Sequence, residues 1–146
     1  MIVTQLILSS IVICFWGCQQ SAELNSTNSK ISVVNVQQSI IKHIDATECK
    51  RLIENNVEVQ LVDVRTSGEC ATGILANAQT IDIYSPNFKN TVSKLDKNKP
   101  IVLYCAVGGR SRQAAQVLKS LGFKDIYNLK GGIQSWKAKG LPIEKK

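Results

Sequence analysis

Between residues 40 and 139, five short apolar runs alternate with stretches of helical spacing, and this alternation limits the fold more than any other feature of the chain. The runs cover residues 40–44, 59–64, 80–83, 101–104 and 125–129. Each is short and sharply bounded, as buried strands are. Helical spacing fills the intervals at 47–55, briefly near Glu69, at 87–95, at 111–121 and finally at 132–139. An order of alternating β and α elements predicts an α/β fold, a parallel sheet of about five strands with helices on both faces. At 146 residues and 44% hydrophobic content the chain has room for one such core and too little for a second.

In a sheet of this kind ligands sit beyond the carboxyl ends of the strands. The fourth run, Ile101-Val-Leu-Tyr104, delivers Cys105 to that end and continues into Ala106-Val-Gly-Gly-Arg110. The following segment carries Ala114, Ala115, Val117, Leu118 and Leu121 and stops at Gly122, so the loop opens a helix. Unpaired N–H groups and the positive end of the helix dipole converge there, and Gly108 and Gly109 let the backbone curl. An anion is stabilised in such a cradle. Cys105, with Arg110 close by, is therefore expected to have a lowered thiol pKa and to act as a sulfur nucleophile. The alternative is a buried structural thiol at a strand end. Asp63-Val-Arg65 leaves its own strand at the same end; Asp63 reads as a cap or loop-fixing partner, Arg65 as a candidate substrate-binding residue.

The net charge of +7 comes almost entirely from residues after Ile40, scattered without a dense block or aromatic interleaving. Nucleic-acid binding is not expected. A basic surface suits small anionic substrates, or anionic lipid headgroups near a membrane.

The N-terminus has a character of its own. Residues 2–16 are apolar and uncharged, too short to span a bilayer and of the right length for a signal-peptide core. Gly17-Cys18 followed by Gln19-Gln20-Ser21 resembles the processing site of bacterial lipoproteins, which implies lipidation of Cys18. An ordinary cleaved secretory peptide is the alternative, since Phe15 and Trp16 stand where that pattern has a leucine-like and a small residue. The expected organisation is thus a signal at 1–17, a polar spacer at 18–38 and a folded domain at 39–146. It places the domain outside the cytosol, anchored to a bacterial membrane on its periplasmic or cell-surface side. Setting aside Cys14 and Cys18 leaves Cys49, Cys70 and Cys105, an odd number that excludes a complete disulfide framework. Cys49 reads as a core residue. Cys70 reads as a packed thiol, with a resolving disulfide to Cys105 as the alternative.

Leu61-Val-Asp-Val-Arg65, Glu69 with Gly73 four residues on, Tyr104-Cys-Ala-Val-Gly-Gly-Arg-Ser111 and Asn128-Leu-Lys-Gly-Gly-Ile-Gln-Ser-Trp136 together resemble a single-domain rhodanese. The resemblance runs from about Ile40 to the end. It implies a sulfurtransferase: Cys105 takes the outer sulfur of a donor such as thiosulfate, holds it as a persulfide and passes it to cyanide or another thiophilic acceptor, a thiol or a protein sulfur acceptor among them. On that reading the N–H groups of Ala106, Val107, Gly108, Gly109 and Arg110 hold the persulfide, and Arg110 attracts the sulfonate. No cofactor and no metal are expected. Two departures concern packing and substrate fit: Gly73-Ile-Leu-Ala-Asn-Ala78 replaces the usual Gly-His-Ile-Pro-Gly-Ala, and Cys70 stands where an aromatic usually follows the glutamate. His43, the single histidine, reads as structural.

Three other functions fit the sequence less well than sulfur transfer. Cysteine phosphatases separate cysteine and arginine by five residues, whereas four separate Cys105 from Arg110, and Tyr104 replaces their usual preceding histidine. A non-catalytic rhodanese-like binding module is the stronger alternative, although such modules usually lack the cysteine. Dithiol redox chemistry would want a Cys-x-x-Cys pair, and the chain has none.

Overall fold

The computed structural model describes residues 39–145. The expected signal, Cys18 and the whole of the spacer lie outside the described residues. Ten elements follow in the expected alternation: β1 (Ile40–Ile44), α1 (Ala46–Asn55), β2 (Gln60–Asp63), α2 (Ser67–Cys70), β3 (Gln79–Thr80), α3 (Phe88–Val92), β4 (Ile101–Tyr104), α4 (Gly109–Ser120), β5 (Asp125–Leu129) and α5 (Gly132–Ala138). The five strands form one parallel sheet in the order β1-β5-β4-β2-β3. Helices cover both faces, as the alternation requires.

Side-chain alternation along each strand divides the core in two. Val102, Tyr104, Leu61 and Leu129 pack with Cys49 of α1, Cys70 of α2, and Ile133 and Trp136 of α5. Ile101, Leu103, Val62 and Ile126 pack with Phe88 and Val92 of α3 and Ala114, Ala115 and Leu118 of α4. Because β4 is central and covered on both sides, all four of its residues are buried. That explains its unbroken apolar run.

Local chemistry sets the helix starts. Asp45 caps α1, its carboxylate accepting from the N–H groups of Thr47 at 2.8 Å and Glu48 at 2.9 Å. Thr66 and Glu69 close a reciprocal capping box around α2. Neither α4 nor α5 has a side-chain cap; each begins after a left-handed glycine, Gly108 and Gly131 respectively.

Two elements are shorter than the spacing predicts. The third strand ends at Thr80, because Asp82 accepts the Tyr84 N–H at 2.9 Å and bends the chain, although Ile81 still donates to the Asp63 carbonyl. The helix expected over 87–95 stops at Val92 and finishes in turns; Phe88 and Val92 are buried nonetheless.

The connections after β4 and β2 depart in opposite directions across the sheet, one toward β5 and the other toward β3. A crevice forms where such connections diverge, and the carboxyl ends of β4 and β2 flank it. Cys105 and Arg65 emerge at its two sides.

Candidate active site

Cys105 follows β4 directly and is 1% exposed, its sulfur enclosed by the turn that leads into α4. The Gly108 N–H donates to Sγ at 3.1 Å and the Ser111 hydroxyl lies 3.6 Å from it. Burial pushes the thiol upward, but hydrogen bonds from the Ser111 N–H and hydroxyl and from the N–H groups of Val107 and Gly108 outweigh it, leaving the thiol below its ordinary value of 9. The expected direction of the shift is therefore present. Its source is the loop and the first turn of α4.

The Val107 N–H points inward because α5 holds the opposite side of its peptide and of the one before it. Ile133 N–H donates to the Cys105 carbonyl at 2.9 Å and Gln134 N–H to the Ala106 carbonyl at 3.2 Å. In a trans peptide the C=O and the following N–H point apart, so fixing these two carbonyls toward α5 turns the Ala106 and Val107 N–H groups away from it. Gly132 makes the approach close: at φ +55°, a Cβ there would lie 2.3 Å from the Cys105 carbonyl oxygen. Gly108, at φ +94°, would bring a Cβ to 3.1 Å from the Leu129 carbonyl oxygen. Gly109 has no positive φ and open space around it, so of the two loop glycines only Gly108 serves the curl.

Arg110 is at the rim and already has a partner. Its two terminal nitrogens donate to the two carboxylate oxygens of Glu69 at 2.7 and 2.5 Å, and its guanidinium lies 5.8 Å from the centre of the exposed Tyr84 ring. Glu69 thus offsets the Arg110 charge, although the guanidinium still interacts with Cys105 electrostatically. Held by Arg110 and by Thr66, the Glu69 carboxyl falls from its ordinary value to about 2.

Arg65, expected among the substrate-binding residues, is buried and committed elsewhere. Its guanidinium bonds both carboxylate oxygens of Asp63, at 2.6 to 3.0 Å, together with the Gly73 and Glu69 carbonyls. With four of its five N–H donors used within the protein and its side chain 4% exposed, Arg65 fixes the loop that carries Glu69. Asp63 is the partner its sequence position suggests. Breaking such a buried pair costs about 3–5 kcal/mol.

The other candidates fall into place around this frame. Cys49 is buried in the core, and burial with the nearby Asp45 and Glu48 carboxylates pushes its thiol up to about 12. Cys70 is buried in the α1/α5 half of the core while Cys105 belongs to the α4 half, and no disulfide links the described cysteines. His43 is paired through Nδ1 with the Asn128 amide at 3.1 Å. Ser111, Glu69 and the α5 start are the site residues to which the sequence reading gave no role. A hydroxyl one residue beyond the arginine and the Gly131-Gly132 pair ahead of the last helix were the available signals.

Comparison with known proteins agrees with this geometry. Residues 45–139 match the rhodanese-like domain family. A sulfurtransferase of Allochromatium vinosum is 33% identical over 71% of this chain and 95% of its own length. The thiosulfate sulfurtransferase GlpE of Coxiella burnetii is 34% identical over 67% of this chain and 86% of its own. Among solved structures, a rhodanese-related protein of Thermoplasma volcanium superposes with a TM-score of 0.64 at 30% identity, over 72% of this chain and 99% of that one. The polysulfide-sulfur transferase of Wolinella succinogenes superposes at 0.62 and 29% identity, over 73% and 80%. A parallel five-stranded sheet with a cysteine cradled between its fourth strand and fourth helix, matched over most of its length by these proteins, belongs to the rhodanese-like domain family.

Proposed function

We propose that the chain is a sulfurtransferase that moves sulfane sulfur from a donor such as thiosulfate to a thiophilic acceptor through a persulfide on Cys105. The convergence of three N–H groups and one hydroxyl on a single buried sulfur carries the reading, since a structural thiol has no need of donors that favour its charged form. The Cys105 thiolate attacks the outer sulfur of thiosulfate, the S–S bond breaks, and sulfite leaves with the bonding pair. The new Cys105 persulfide carries its negative charge one atom further out, toward the N–H groups of the loop. Cyanide, a thiol or a protein acceptor then takes the outer sulfur and returns Cys105 to the thiolate.

The four-residue gap between Cys105 and Arg110 supports sulfur over phosphoryl transfer. A non-catalytic binding module would have no use for the donors gathered on Cys105. The N-terminal sequence supports export and anchoring through Cys18. Labelling with a palmitate analogue tests that part: no label, or equal label after Cys18→Ser, rejects the anchor.

Mass spectrometry after thiosulfate treatment of protein lacking residues 1–18 tests the chemistry. A gain of one sulfur atom on Cys105 that disappears in Cys105→Ser is expected. No adduct from thiosulfate or from the singly charged methanethiosulfonate, or an adduct that survives the substitution, rejects the mechanism. Because Cys105 is enclosed, the same measurement asks whether the loop admits a donor.

A further inference from the structure

The Glu69–Arg110 pair is built into the rim of the site. Glu69 is anchored three ways besides Arg110: its carboxylate accepts from the Thr66 N–H at 3.1 Å and hydroxyl at 2.9 Å, and its carbonyl accepts from the buried Arg65 at 3.3 Å. It does not swing aside easily. Arg110 meets it end-on with both terminal nitrogens, which leaves the Nε–H and one N–H on each terminal nitrogen available to a ligand. A donor arriving at Cys105 thus meets a hydrogen-bonding guanidinium whose charge is cancelled by a carboxylate in direct contact.

We propose that Glu69 is a specificity-determining residue, a fixed counter-ion to Arg110 that turns the site from dianionic thiosulfate toward sulfane-sulfur donors with a single negative charge, of which alkyl persulfides are the plain example. The inference rests on the sulfurtransferase reading and specifies its donor class. Thiosulfate brings two negative charges toward a nucleophile that is itself anionic. A bare arginine would offset that repulsion; one neutralised by Glu69 offsets little of it, while loop N–H groups and the remaining guanidinium donors still hold a monoanion. With an alkyl persulfide the step is balanced without sulfite: the Cys105 thiolate attacks the outer sulfur of RSS⁻, the S–S bond breaks, RS⁻ leaves with the electron pair, and Cys105 carries the persulfide.

Two donors that differ in one charge test the idea. Thiosulfate and methanethiosulfonate both present a sulfane sulfur on an oxidised sulfur, the first as a dianion releasing sulfite, the second as a monoanion releasing methanesulfinate. The quantity measured is the ratio of their kcat/KM values for persulfide formation on Cys105. Glu69→Gln removes the charge while keeping a side chain that closes a capping box, and it is expected to raise the thiosulfate to methanethiosulfonate ratio at least three-fold. Glu69→Ala is the second neutral variant and is expected to shift the ratio the same way if the glutamine protein does not fold. Glu69→Asp keeps the charge and is expected to stay within two-fold of wild type. A rise below three-fold in the neutral variants, or an equal rise in Glu69→Asp, overturns the proposal while leaving sulfur transfer standing. No adduct on wild-type Cys105 from either donor overturns both.

Discussion

Cys49 and Cys105 are both buried, and both lie within about a turn of a helix start, yet their thiols shift in opposite directions. Cys49 faces carboxylates. Asp45 and Glu48, the residues that make α1 a well-capped helix, add to burial and push its thiol up to about 12. At Cys105 the helix start has no capping side chain, and the Ser111 N–H, which a cap could have taken, reaches the sulfur together with those of Val107 and Gly108 from the preceding loop. What a helix start does for a thiol depends on who takes its N–H groups. A capped start stabilises the fold; an uncapped one, where glycine lets the chain curl, leaves donors for a ligand.

The contrast can be broken most forcefully at Gly132. Alanine there would drive a Cβ into the Cys105–Ala106 peptide, and we expect persulfide formation to fall at least about 100-fold, with a loss of roughly 2–4 kcal/mol in denaturant unfolding. Near-native activity would show that the loop keeps its shape without α5. A comparable stability loss, about 3–5 kcal/mol, is expected for Arg65→Ala, because Asp63 is left buried and unpaired. A stable variant with weakened donor binding would return Arg65 to the substrate site.

Alkylation addresses the two thiols directly. At neutral pH iodoacetamide is expected to modify Cys105 at least about 100-fold faster than Cys49, read by peptide mass spectrometry, since only the thiolate reacts. Equal rates would erase the distinction. Linkage gives the two thiols opposite signs. Cys105 is depressed in the fold, so it contributes stability above the ordinary thiol value of 9 that is lost as pH falls through its lower folded value. Cys49 is raised, so its contribution is present below 9 and lost as pH climbs toward about 12. Cys49→Ala should therefore flatten the alkaline fall in stability between those values; an unchanged fall would assign it to other groups.

Ser111→Ala makes the smallest change. It deletes the hydroxyl donor while keeping the N–H, and the midpoint of the Cys105 alkylation profile should move up toward the ordinary thiol value. A midpoint that stays in place would leave the backbone as the whole source of the shift.

The β-α alternation, the carboxyl-end position of Cys105 and the direction of its shift were legible because each depends on short-range pattern: an apolar run, a glycine loop, a helical spacing. The part that was not legible depends on contacts far apart in sequence. Arg110 reads as a free cation until Glu69, forty-one residues earlier, is brought against it. Arg65 reads as a ligand-facing charge until Gly73 and Asp63 enclose it. Cationic side chains announce themselves in sequence, but whether their charge is spent is decided by the tertiary fold. The truncated third strand was missed for a smaller reason, the local competition of the Asp82 side chain for a backbone N–H.

The clasp between α5 and the Cys105 loop also fixes an order of events in synthesis. Residues 131–138 leave the ribosome after residues 105–110, and the carbonyls of Cys105 and Ala106 have no partner from Ile133 and Gln134 before then. A nascent chain that already contains Cys105 has not yet oriented the loop around it, so the surroundings of that sulfur are complete only once α5 has been made.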